Sequence, residues 1–163
     1  MELVVGFTGH RTYGGQADGA LDAHLTALYG RGARTFVSGM AVGFDMAAAE
    51  AVLRLRARYA DVRLVCAVPF EGQEARFPAA DRERYARLLA AADERVTVCP
   101  RYAPGCYARR NDYLVDRAGV LVAWYDGSSG GTRYTLRRAL RRGREVVNLC
   151  PEALLPVRQP ELF

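Results

Sequence analysis

The stretch Asp126-Gly127-Ser128-Ser129-Gly130-Gly131-Thr132 places three glycines and three hydroxyl side chains within seven residues. Such a loop, opening a helix, turns backbone N–H groups and hydroxyls toward an anion, and the helix dipole favours negative charge there. The segment lacks the Gly-Lys-Ser/Thr ending of a Walker A loop and the spacing of the Gly-x-Gly-x-x-Gly dinucleotide fingerprint. As a plain connection it would be unusually rich in glycine. Asp126, Gly127, Ser129, Gly130, Gly131 and Thr132 are therefore the first candidate ligand-binding residues.

Two other junctions have a similar composition. In Thr8-Gly9-His10-Arg11 the small residues let the backbone approach a ligand, while His10 offers a switchable donor and Arg11 a permanent one. By itself this run reads equally well as a turn with an exposed His and Arg. In the run from Ser38 to Asp45, Gly39 and Gly43 can take backbone angles that other residues avoid, and Asp45 either caps a helix or accepts hydrogen bonds from ribose hydroxyls. Capping alone accounts for Asp45, and Glu50 further along reads as a surface carboxylate. In Tyr107-Ala108-Arg109-Arg110-Asn111-Asp112, Arg109 or Arg110 turned inward would grip a phosphate beside Asn111, but Asp112 and Asp116 could equally pair both on the surface. Spacing does not choose between them. Pro69-Phe70-Glu71-Gly72-Gln73 supplies a plausible polar rim.

These loops need a scaffold that brings them to one edge. Six short apolar runs, 3–8, 35–38, 62–68, 96–99, 120–125 and 146–149, are nearly continuous rather than alternating, as in strands buried on both faces of a parallel sheet. Between them lie segments with helical spacing: Leu21, Leu25 and Leu28; Phe44, Ala48, Ala51 and Leu55; Tyr107, Asn111, Leu114 and Ala118; Thr132, Leu136, Ala139 and Leu140. A weaker helix, 79–92, fills the third gap. Strands alternating with helices predict an α/β, Rossmann-like, doubly wound and mostly parallel sheet sandwiched by helices. In such folds ligands collect where strands end and helices begin. At 163 residues the chain holds one sizeable core, so residues 1–163 are read as one domain.

Composition narrows the function classes. Half of the residues are hydrophobic and a quarter charged, as in ordinary globular proteins. No run reaches a membrane span and no basic leader precedes the first apolar run, so a cytoplasmic protein without membrane contact is expected. Cys66, Cys99, Cys106 and Cys150 lie far apart with no histidines nearby, which predicts packing rather than a zinc site or disulfides; no metal or cofactor is expected. Cys106 falls near a helix start, where a thiol pKa could drop, but no base is within sequence reach. The net charge of +5 is carried without a single lysine. Arg137, Arg138, Arg141 and Arg142 crowd the end of the last helix before Gly143, where cations complement the dipole, so nucleic acid is a secondary partner.

Five motifs occur in order: Thr-Gly-His-Arg from Thr8, Ser-Gly-Met-Ala-x-Gly-x-Asp-x-x-Ala-Ala-Glu from Ser38, Pro-Phe-x-Gly-Gln-Glu from Pro69, Arg-Asn-Asp-Tyr-Leu-Val-Asp from Arg110, and Asp-Gly-Ser-x-Gly-Gly-Thr from Asp126. Together they resemble the YpsA-like branch of the SLOG superfamily, which also includes DNA-processing protein A and the LOG, or lysine decarboxylase-like, phosphoribohydrolases. The resemblance implies a Rossmann-like fold, a nucleotide-derived ligand of phosphoribosyl or ADP-ribose type with a sensing or regulatory role, and a homodimer. The LOG branch cleaves N-glycosidic bonds of nucleoside monophosphates with an arginine, here matched near Arg109 or Arg110, and a glutamate whose position falls on Thr135. A threonine cannot act as that carboxylate, although Asp45, Glu50 or Glu71 could stand in. The expected function is thus nucleotide binding, with glycosidic hydrolysis and single-stranded DNA binding as alternatives.

Overall fold

Runs such as Leu3-Val4-Val5 and Leu121-Val122-Ala123 carry no charge to keep either face in water, so they are stable only between two helical layers. In the computed structural model, which describes residues 2–151, Leu155 and Pro156, they form one six-stranded sheet. The elements in chain order are β1 (Leu3–Gly9), α1 (Asp18–Gly30), β2 (Ala33–Ser38), α2 (Phe44–Arg58), β3 (Arg63–Phe70), a 3-10 turn (Gln73–Arg76), α3 (Ala79–Ala91), β4 (Glu94–Cys99), α4 (Cys106–Arg117), β5 (Val120–Trp124), α5 (Gly131–Arg141) and β6 (Glu145–Asn148).

The strand order is β4-β3-β2-β1-β5-β6, and all five pairings are parallel. The chain builds outward from β1 to β4, then crosses back to lay β5 on the other side of β1. That reversal makes the carboxyl ends of β1 and β5 the topological switch point, where the loops after the two strands diverge and leave a crevice. Helices α1, α2 and α3 pack side by side as one layer, and α4 packs on α5 as the other. Strand residues alternate between the layers: Val5 and Phe7 join the core under α1 to α3, while Val37 and Val65 pack with Leu114 of α4.

Phe7 anchors the first layer, with Phe36 stacked at 6.5 Å and Phe44 edge-on at 6.4 Å. Burying one such side chain is worth roughly 1.5–3 kcal/mol, and this cluster holds the start of α2 against the end of β1. On α4 the buried stripe is Cys106, Arg110 and Leu114, spaced i, i+4, i+8, with Val115 alongside. Tyr107 was expected on that stripe. It lies one position around the helix and is 48% exposed.

Candidate functional site

Gly9 pairs with Trp124 at the switch point, so the loops that follow β1 and β5 face one another. They enclose a cleft of about 1190 Å³. Thr8, Gly9, His10 and Arg11 line it from the β1 side and Asp126, Ser129, Gly130, Gly131 and Thr132 from the β5 side. Asp45 enters from α2, and Arg110 and Asn111 from α4. Of the remaining sequence candidates, Ser38, Gly39, Gly43, Arg109 and Gly127 are not among the lining residues.

The β5–α5 loop is shaped by its own polar groups. Asp126 Oδ1 accepts hydrogen bonds from the Ser128 hydroxyl at 2.6 Å and the Ser128 N–H at 2.9 Å, which hold the Asp126 carboxyl below its ordinary pKa, with His10 adding a smaller effect. His10 Nε2 lies 2.9 Å from the same oxygen but out of line for a hydrogen bond, and is buried without a hydrogen-bond partner. Trp124 and Tyr125 hold the imidazole ring at 6.1 and 5.7 Å. No side chain caps α5, whose N-cap is Gly130, leaving its first N–H groups unmatched by the protein's side chains.

The β2–α2 loop is built differently. A Cβ on Gly43, which sits at φ 92°, would lie 2.6 Å from the carbonyl oxygens of His10 and Arg11. Gly9 likewise faces the Phe44 ring, and Gly39 faces the Arg110 side chain, with no room for a Cβ. Ser38 Oγ donates to the Asp45 carbonyl at 2.8 Å and accepts from the Met40 N–H at 3.2 Å. These residues seat the loop against β1 and α4 and so place Asp45.

Asp45 does not cap α2. Its Oδ2 accepts the Ala41 N–H at 3.3 Å, while Oδ1 is buried without a partner and the side chain borders the cleft. Burial pushes the carboxyl up to about 6, against the opposing pull of the Arg110 charge and the Ala41 N–H. Arg110 is equally enclosed: its guanidinium donates to the Gly39 carbonyl and, at 2.9 Å, to Asn111 Oδ1. Burial lowers its pKa and the Asp45 charge restores part of it.

Between the two arginines that spacing left open, Arg110 reaches the cleft and Arg109 turns instead to Cys99 Sγ at 3.4 Å. Asp112 and Asp116 pair with neither; they bind Arg138 of α5 at 3.3 and 3.1 Å. The other carboxylates considered for chemistry are engaged, Glu50 with Arg84 and Glu71 with Arg95, each at 2.6 Å. Thr135 is fully buried and donates to the Gly131 carbonyl at 2.8 Å. Cys106 is no activated thiol, because burial and the neighbouring Cys99 raise its pKa. Among the described residues no group of three or more His, Cys, Asp or Glu could hold a metal, and no helix is long and apolar enough to cross a membrane.

Among the lining side chains that sequence reasoning missed are Arg76, Tyr102 and Tyr107. Tyr102 lies between Pro100 and Pro104, a run that cannot be helical and offers a large ring no core to join, so its signal was present.

The YpsA family model, described as the YspA SLOG family, matches residues 7–148, which spans every loop of the cleft. The chain belongs to this family. It is 30% identical over 131 residues to the SPbeta prophage-derived protein YoqJ of Bacillus subtilis, covering 72% of this chain and 77% of that protein. It is also 30% identical over 129 residues to the UPF0398 protein BH1768 of Halalkalibacterium halodurans, covering 77% and 68%. Its fold is similar to that of DNA processing protein A from Streptococcus pneumoniae, with TM-score 0.64 and 20% identity over 89% of this chain and 49% of that one. The Helicobacter pylori DNA processing protein A, whose structure is described for its single-stranded DNA binding mode, gives TM-score 0.63 and 17% identity over 88% and 63%. The YpsA-family chain thus spans only part of the two DNA processing proteins.

Proposed function

We propose that this YpsA-family protein binds a nucleotide-type small molecule of phosphoribosyl or ADP-ribose kind, as a sensor or regulator. The observation that carries the reading is that the same cleft is bordered by an uncapped helix N-terminus and by Asp45, whose Oδ1 is buried without a partner. Gly130, Gly131 and Thr132 take the phosphate on their N–H groups, with Arg11 and Arg110 supplying positive charge. Asp45 Oδ1 accepts a ribose hydroxyl, which gives that oxygen the partner it lacks. Hydrolysis is not part of the reading, because the position of the LOG glutamate is a buried Thr135 bound to its own helix. A nucleotide panel should release no free base.

The test is thermal unfolding with AMP, ADP-ribose and NAD, since a ligand of the native state raises stability by mass action. A saturable, dose-dependent rise is expected in the wild type and none in Gly131→Asp, which puts a carboxylate where the phosphate sits. That variant should fold, because a Cβ at Gly131 meets nothing closer than Asn111 at 3.7 Å and an acidic group suits a helix start. No rise with any of the three compounds at millimolar concentration would overturn the reading.

A second reading, single-stranded DNA binding, is favoured by the outer face of α5, where Arg133, Tyr134, Arg137 and Arg141 border a shallow hollow beginning at Gly130. An arginine-lined surface with an exposed aromatic ring suits a single strand, and the fold relative from Helicobacter pylori is described as binding one. DNA binding that weakens steeply with salt would support it; binding that is absent or indifferent to salt would remove it.

A further inference from the structure

The cleft is not uniform along its length. Its β5 end is polar backbone and hydroxyls, while its far end, beyond β3 and β4, is aromatic. Phe70 closes β3, Tyr102 stands in the segment between β4 and α4, and Tyr107 opens α4. The Phe70 ring lies 5.3 Å from Tyr102 and 5.7 Å from Tyr107, edge to face at 78° and 79°. All three border the cleft. Tyr102 is 60% exposed and Tyr107 48%; among the described residues the only other exposed large apolar side chain is Tyr134. Two exposed rings thus stand at one place, each packed edge to face with a third.

An open group of rings suits either a flat aromatic ligand or an organic cation. The surroundings decide between these. Arg11, Arg76 and Arg110 border the same cleft, and the Arg110 guanidinium already lies 6.0 Å over Tyr107, so the cationic place at these rings is taken. Of the bordering carboxylates, Asp126 is engaged by Ser128, and Asp45 is buried within the field of the Arg110 charge. The aromatic end therefore favours a neutral planar ring attached to an anion. From β3 to β5 is three strand spacings, about 14 Å between backbones before side chains narrow the gap. A base joined through ribose to phosphate bridges such a gap.

We propose that Tyr102 and Tyr107, backed by Phe70, form a stacking site for the base of the nucleotide. This rests on the nucleotide reading above and adds to it which end of the cleft holds the base and how the base is recognised. Recognition is through the ring face rather than through hydrogen bonds to the base edge, so the site accepts different bases and favours larger rings over smaller ones.

The experiment compares AMP with ribose 5-phosphate by titration calorimetry on the wild type, on Tyr102→Ala/Tyr107→Ala, and on Tyr102→Phe/Tyr107→Phe. Wild type should bind AMP about 10- to 100-fold more tightly than ribose 5-phosphate, the effect expected of base stacking. The alanine pair should erase that preference and leave ribose 5-phosphate binding unchanged, while the phenylalanine pair, which keeps the ring faces, should retain it. Because both rings are exposed, the melting temperature should move little, and this checks the fold. Equal binding of the two compounds by the wild type, or a preference that survives the alanine pair, would overturn the stacking site and leave the phosphate reading standing. Failure of the wild type to bind either compound would overturn both.

Discussion

The β2–α2 loop, Gly39 to Gly43, and the β5–α5 loop, Gly127 to Gly131, lie at the same edge of the sheet and look alike in composition, yet their glycines answer different needs. In the first, neighbouring chain occupies the space where side chains would stand: the carbonyls of His10 and Arg11 at Gly43, and the Arg110 side chain at Gly39. In the second, Gly127 and Gly130 have nothing within 4 Å of where a Cβ would be. One loop is closed by the protein itself and positions Asp45 and Arg110. The other is left open to solvent at an uncapped helix start. Glycine richness at a strand-to-helix junction thus has two meanings, close packing and an empty cradle, and only the neighbours distinguish them.

The contrast can be broken most forcefully at Gly43. Gly43→Ala combines a positive-φ penalty with a backbone clash, each of order 1–3 kcal/mol, and should cost about 4 kcal/mol in chemical denaturation. A variant as stable as the wild type would mean that the two loops are not different in kind.

Asp45 gives the next largest effect, read against pH. Its folded-state pKa is raised from 3.8 to about 6, so the folded chain holds this proton more tightly than the unfolded one. Its cost to stability is absent below about pH 4, grows between pH 4 and 6, and is complete above pH 6, at about 3 kcal/mol. Glu50, Asp93, Asp126 and Glu145 have lowered pKa values and contribute with the opposite sign, losing stability as the pH falls. Asp45→Asn isolates the one from the others: from pH 4 to 7 it should gain stability relative to the wild type by about that amount, measured as the change in the difference between their unfolding free energies. A difference that stays flat over this range would place Asp45 outside the buried, unpartnered setting described.

Smaller effects sharpen the open side. Gly127→Ala carries only the cost of φ 97° in free space, about 1 kcal/mol, and should leave the cooperative transition otherwise unchanged. Arg137→Ala and Arg141→Ala, on the outer face of α5, should each alter stability by no more than about 0.5 kcal/mol. If they weaken DNA binding and reduce its salt slope while AMP binding is unaffected, the cradle and the helix face act separately.

Much of this architecture was legible in the chain. Continuous apolar runs marked the positions of all six strands, although the edge strands β4 and β6 are only partly buried rather than covered on both faces. The helical spacing of Leu21, Leu25 and Leu28 or of Thr132, Leu136 and Ala139 marked buried faces, because that pattern reflects a local constraint on which side of an element meets water. The edges were less exact: β2 starts at Ala33 rather than Thr35, and Tyr125 is buried although β5 ends at Trp124. The short 3-10 turn Gln73–Arg76 was unread, since four residues carry too little periodicity to register. The polar loops were recognisable by composition, but composition could not separate Arg109 from Arg110, or the ion-paired Glu50 and Glu71 from Asp45, whose Oδ1 lacks a partner.

The sequence by itself determined the α/β class, the alternation of strands and helices, the family and the loops worth inspecting, because these follow from local periodicity, from residue chemistry and from the order of short motifs. The tertiary structure decided the strand order that brings the β1 and β5 loops together, the inward turn of Arg110, the burial of Asp45 and the exposure of Tyr102 and Tyr107. Each of these depends on what lies across the cleft from a residue, tens of positions away in the chain. A side chain's partners, and the water excluded around it, are set by packing between elements and are not written in the spacing within any one of them.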